Sequence, residues 1–147
     1  MDKAEKSKAA RFWTLSLTWG LPLTLIGLAI AIVLTIFGYK PKKFHYMIRF
    51  EVGENWGGFS LGGFIFTNEN PSLHTQQHEA GHCIQNTVFG FAMPFLVSIP
   101  SAVRYWYREY LRKVRKKTDL PAYESIWFEK QATEIGEKYF PEEISCG

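Results

Sequence analysis

Residues 70–90, NPSLHTQQHEAGHCIQNTVFG, constrain the fold more than any other stretch of this 147-residue chain. Asn70 as cap and Pro71 at the first position open a helix, which runs to Val88 and ends at Gly90. Helical spacing puts Leu73, Ala80, Ile84 and Val88 on one side and His74, His78 and His82 on the other. Such a helix must dock its apolar side on a core and turn its histidines toward something else. Residues four apart lie one above the other, so His78 and His82 can bring two imidazole nitrogens to one ion. Tetrahedral zinc takes such nitrogens at about 2.0–2.1 Å, and catalytic sites add a third protein ligand and a water. Glu79, between the histidines, would flank the ion and take a proton from that water. The alternative is a surface helix with two unrelated histidines. Three of the chain's four histidines fall on this helix, which favours the metal. His74 reads as a second-layer or exposed residue, and His45 is unassigned.

A third ligand has to come from elsewhere. Thr118–Pro121 is a break, and Pro121 is placed to start a helix over Ala122–Tyr139. One stripe of that helix is Ser125, Glu129, Ala132, Thr133 and Gly136. Small residues let another helix come close, and the one carboxylate in the stripe would then point at the partner. Glu129 is therefore the candidate, against the plainer reading of a surface glutamate. Glu124 and Glu134 fall off the stripe and read as solvated.

HExxH on one helix followed by ExxA on a later one resembles the gluzincins, a class of zinc peptidases, and in particular their minimal catalytic core. The resemblance covers roughly residues 59–140 and implies a zincin-like fold. It also implies that His78, His82 and Glu129 bind one catalytic zinc, that Glu79 is the general base, and that the substrate is a peptide. Gluzincins often carry Asp after the alanine of ExxA, where this chain has Thr133. No oxyanion stabiliser is identifiable by spacing, though Tyr105, Tyr107, Tyr110 and Tyr123 are available. The chain is also similar to small bacterial membrane proteins with an SLG strand, an HExGH helix and an IPS segment, here Ser60–Gly62 and Ile99–Ser101. That second likeness implies no activity.

The remainder decides where such a domain sits. Phe12–Tyr39 carries no charged side chain, and its densest part, Leu21–Tyr39, approaches the ~20 residues that cross a bilayer. Trp13, Trp19 and Tyr39 lie near its ends, as interfacial anchors do. Gly20-Leu21-Pro22 either kinks or starts the helix. The run is too long for a signal peptide and lacks a small-residue cleavage site. The expectation is residues 1–40 as tail and single-pass anchor, and residues 41–147 as the metal-binding domain. Arg104–Lys117 holds seven Lys/Arg and one Glu, favouring anionic lipid headgroups and a cytoplasmic domain. Nucleic acid is the competing polyanion, but no nucleic-acid module surrounds the run.

Phe44–Val52 and Phe59–Thr67 read as two strands paired as an antiparallel hairpin, the second with a bulge or bend at Gly62-Gly63. The second strand either covers the core or offers its edge to a peptide. Residues 88–103, broken by Pro94 and Pro100, read as a hydrophobic loop that rests on a bilayer without crossing it. A crossing there would separate the histidines from Glu129. Cys83 and Cys146 make neither a disulfide framework nor a zinc knuckle, and Cys83 reads as a core residue. The fold class is α+β. The functional expectation is a membrane-anchored zinc metallopeptidase. Its alternatives are an inactive metal-binding domain acting through protein or lipid contacts, and a metal-free membrane adaptor.

Overall fold

The structure is a computed structural model and describes residues 2–122 and 125–141; Tyr123, Glu124 and Cys146 lie outside them. The described residues are α+β, with five α-helices and one four-stranded sheet. Helices α1 (Lys3–Leu17) and α2 (Leu21–Ile36) precede strands β1 (Lys42–Phe44), β2 (Met47–Glu51), β3 (Gly58–Leu61) and β4 (Phe64–Thr67). Helices α3 (Leu73–Phe89), α4 (Ile99–Lys113) and α5 (Trp127–Tyr139) follow.

The sheet departs from the expected single hairpin. His45 takes φ 53° and Gly62 φ 65°, so each expected strand folds back on itself. The results are two hairpins, β1 with β2 and β3 with β4. They join through β2 and β4, which run parallel, giving the order β1-β2-β4-β3 and a mixed sheet. At Gly62 the chain needs glycine twice over. Its φ is positive, and a Cβ there would lie 2.2 Å from Thr24 Oγ1 of α2. Burial of Phe50, Phe64, Ile65 and Phe66 rewards the arrangement, at about 1.5–3 kcal/mol for each large apolar side chain.

Gly20 and Pro22 break the long uncharged run as their chemistry demands, and α1 and α2 meet at 97°. Among the described residues no single helix is long and apolar enough to cross a membrane. The run expected to span, Leu21–Tyr39, leaves its helix after Ile36. By length and composition, α1 with α2 and α3 with α4 would suffice only as bent pairs. Both N-terminal helices pack on the rest of the fold. Phe12 joins a core with Phe44, Met47, Ile65, Ala80, Cys83 and Phe140, and Trp13 Nε1 donates to Tyr46 O at 2.8 Å. Helix α2 lays Thr24, Gly27 and Ala31 inward, and a Cβ on Gly27 would stand 2.5 Å from Leu61 O.

Helix α3 starts at Leu73, capped by Ser72, whose Oγ accepts from the Thr75 N–H at 3.1 Å. Asn70, the expected cap, is left-handed at φ 51°, whereas a cap residue needs extended backbone. The helix ends at Phe89, one residue past the expected Val88, with Gly90 as the expected cap. Residues 90–98 are helical rather than the expected loop: a 3-10 turn over Gly90–Ala92, then a π-helical turn over Pro94–Ser98 leading into α4. Pro94 and Pro100 sit in first turns, where no backbone N–H is required. Helix α5 begins at Trp127 instead of Ala122. Ser125 N–H turns back to Ala122 O (3.0 Å), and Ile126 is extended at ψ 147°.

One contact fixes the two helices that matter. Glycines Gly81 of α3 and Gly136 of α5 face the partner backbone, and a Cβ on either would fall 1.8 Å from a carbonyl oxygen, Ala132 O or Gln77 O respectively. Within α5 the predicted stripe is the packing face, with Glu129, Ala132 and Gly136 buried and Thr133 partly so, whereas Ser125 precedes the helix and is exposed. Gln77 Nε2 donates to Phe140 O at 2.8 Å and ties the far end. Substituting Gly136→Ala should destabilise the fold by about 1–3 kcal/mol or more, because backbone must move rather than a side chain. A denaturant midpoint unchanged from wild type would show the helices to be farther apart than described.

Candidate metal centre

Across this close packing, α3 and α5 bring together His78, His82 and Glu129, whose ligand atoms all lie within 4.8 Å of one another. Glu129 Oε2 is 3.0 Å from His78 Nε2 and 3.0 Å from His82 Nε2. All three residues are buried, Glu129 completely. The trio can hold a metal ion.

The hydrogen bonds behind the imidazoles say what kind of partner the trio wants. Gln85 Nε2 donates to Phe128 O at 2.8 Å, and a backbone carbonyl can only accept. That fixes the Gln85 amide with Oε1 toward His82, 2.7 Å from Nδ1. His82 Nδ1 must then carry the proton, which leaves neutral His82 a lone pair on Nε2 aimed at a carboxylate oxygen. Two acceptors at 3.0 Å require a cation between them, a second proton on the ring or a metal ion. His78 is oriented from the same side, with Nδ1 2.8 Å from Thr133 Oγ1, but a hydroxyl can donate or accept and this contact does not choose the His78 tautomer. Ser101 of α4 donates to the outer oxygen, Glu129 Oε1, and so leaves Oε2 to face the histidines. Orienting contacts of this kind set the tautomer and direction of metal-binding imidazoles. The donor set fits a divalent cation.

Burial alone would raise the Glu129 carboxyl. With a proton on Nε2 of His78 and His82, their hydrogen bonds, the charge of His82 and the bond from Ser101 outweigh it and hold the group well below the usual carboxylate range. Glu79 is different. It projects toward β3, where a Cβ on Gly58 would be 3.2 Å from its Cγ and where Ser60 hydrogen-bonds its carboxylate. Its Oε2 is buried and has no hydrogen-bond partner among the described residues. Desolvation pushes this carboxyl up, the nearby Glu129 adds to the rise, and the attraction of His78 and His82 does not offset it. A carboxyl raised in this way is suited to receive a proton. Cys83 is wholly buried, as expected of a core residue, and burial beside Glu79 raises its thiol well above the usual value.

Sequence reasoning named His78, His82, Glu79 and Glu129, and the structure brings all four to one place. It did not name Ser101 or Gln85. Gln85 had a signal in its position three residues after His82 on the same face. Ser101 had none beyond its place in an IPS segment, because its partner lies 28 residues away. Thr133, noted as a departure from Asp, still presents an oxygen to His78. Exposed His74 lies 3.9 Å from Glu137, and exposed Glu134 is 3.9 Å from Lys130. Tyr105, Tyr107 and Tyr110 are exposed on α4. No protein-family model, curated protein or solved structure matches this chain.

Two outcomes are expected. Gln85→Leu and Thr133→Val should each weaken divalent-metal binding about 10- to 100-fold in a chelator competition, with Glu134→Gln unchanged. In metal-free protein, Glu79→Gln should raise the thermal midpoint at neutral pH. The native state holds the proton of Glu79 more tightly than the unfolded chain, so ionisation costs stability as pH rises above the usual value of 4.5. The advantage of the glutamine should therefore fade as pH falls below that value, which melts at several pH values will test.

Proposed function

We propose that this chain is a membrane-anchored, zinc-dependent metallopeptidase of the gluzincin kind. The observation that carries the reading is the pairing of a buried His78/His82/Glu129 trio with a separate buried carboxylate, Glu79, whose Oε2 lacks a hydrogen-bond partner among the described residues. A structural metal site needs only ligands. A buried carboxylate oxygen left without a hydrogen bond next to one costs about 1–3 kcal/mol and is kept where a proton has to be taken.

In this reading His78 Nε2, His82 Nε2 and Glu129 Oε2 hold the ion, and nitrogen and carboxylate donors with no thiolate suit zinc. Zinc held there supplies a Lewis acid that acidifies water and polarises a carbonyl oxygen. Glu79 takes a proton from the attacking water as the water oxygen bonds to the peptide carbonyl carbon. The C–N bond then breaks, and Glu79 returns the proton to the departing nitrogen. Strand β3 is one of the two edge strands of the sheet and holds Ser60 against Glu79, so a substrate paired with that edge would run past the base. Anchoring through α2 is supported by its outward apolar face, where Leu25, Ile26, Ile32 and Val33 are about half exposed and Ile36 more so.

Purified protein should carry one zinc and cleave components of a mixed peptide library in a chelator-sensitive way. Glu79→Gln should abolish cleavage and keep the zinc, whereas Glu129→Ala should lose most of the zinc. Cleavage that survives Glu79→Gln removes the proposed base, and full zinc without turnover in wild type leaves a binding domain.

A further inference from the structure

Helix α4 is amphipathic the wrong way round for a helix of a folded body. Its inward side is polar. Ser101 donates to Glu129, Arg104 Nη2 donates to Ser125 Oγ at 2.9 Å and to Ala122 O at 3.2 Å, and buried Arg108 donates to Pro121 O. Its outward side is apolar and aromatic. Ile99, Val103, Trp106, Tyr107, Tyr110 and Val114 fall within an arc of about 100°, and all six are exposed, Trp106 by 69%. The apolar surface continues past the helix. Phe91 and Phe95, just before it, are exposed, and the Phe91 ring meets Trp19 of the α1–α2 corner edge-on at 5.6 Å.

The charges refine what covers this face. The sequence suggested seven cations facing lipid, but Arg104 and Arg108 point inward to the 121–125 segment. The other five, Arg112, Lys113, Arg115, Lys116 and Lys117, are exposed and gather at and beyond the C-terminal end of the helix. A Trp- and Tyr-bearing apolar face with cations at its margin fits the headgroup layer of an anionic bilayer. A protein partner fits less well, since protein interfaces are depleted in lysine. We infer that α4 lies in the membrane interface, its Ile99–Val114 face sunk among acyl chains and the Arg112–Lys117 cluster on anionic headgroups. The inference does not depend on metal binding or peptidase activity, because the outward face touches neither. It does place the helix that bears Ser101 between the bilayer and Glu129.

The test uses the full chain with phosphatidylcholine vesicles, with and without phosphatidylglycerol, and with lipids brominated on the acyl chain. Subtracting the emission of Trp106→Phe from that of wild type isolates Trp106, and the far-UV circular dichroism of both proteins serves as the check on folding. With anionic vesicles the Trp106 component should shift to shorter wavelength, become shielded from acrylamide and be quenched severalfold by the brominated lipid. Arg115, Lys116 and Lys117 changed together to Gln should weaken that response. Emission that stays open to acrylamide overturns the inference, and so does shielding without bromine quenching, which would mean a protein contact. An equal response on neutral vesicles overturns the role given to the cations.

Discussion

The contact between α3 and α5 is the constraint on which the rest of the structure depends. Two backbones approach so closely that neither Gly81 nor Gly136 has room for a methyl group. Only at that separation can Glu129 of one helix reach Nε2 atoms of both histidines of the other. The approach is not driven by large apolar side chains on the shared face. It is held from the flanks by amide side chains that reach the partner backbone, Gln77 to Phe140 O and Gln85 to Phe128 O. These bonds satisfy buried polar groups and set the register between the helices. One of them, through Gln85, also chooses the tautomer of His82.

The sheet and the N-terminal helices serve this pair by covering the other side of α3. Ala80 and Cys83 pack into the core with Phe12, Phe44, Met47 and Ile65. Arg49 of β2 donates to Gln76 Oε1 at 2.6 Å, a polar tie between sheet and helix. Helix α3 is therefore enclosed for most of its length. Enclosure keeps water from screening the trio, and interactions among charged groups gain strength there.

Periodicity made much of this legible. Patterns local to one element came through for the most part. Leu73, Ala80 and Ile84 pack on the core and His78 with His82 faces Glu129, though Val88 and His74 are exposed. The end of α3 at Gly90 and the buried Glu129, Ala132 and Gly136 of α5 follow the expected pattern. Features set by partners distant in sequence did not. Nothing in Phe44–Val52 says that its second half pairs in parallel with Phe64–Thr67, because parallel pairing leaves no local turn signature. The helical reading of residues 90–98 was hidden by two prolines, which read as breakers and instead sit in first turns. The uncharged run before the sheet has enough apolar residues to span, but Gly20 and Pro22 divide it and its small residues turn inward on the sheet. The polar inner side of α4 was the least legible of all. Its arginines bond backbone carbonyls, which no side-chain pattern encodes.

The electrostatics of the centre favour a cation. Two carboxylates, Glu79 and Glu129, are buried close enough for Glu129 to raise Glu79, and the His82 lone pair points at Glu129. A buried charge is costly unless it is paired, and hydrogen bonds here satisfy only part of the set. A second proton on His82 would answer only the oxygen it faces. A divalent ion would answer all the acceptors together. Its binding free energy would then count toward folding, since the unfolded chain has no preformed trio to compete for it. A site of this kind explains why a fold would keep His78, His82, Glu79 and Glu129 inside, where four apolar side chains would pack at less cost.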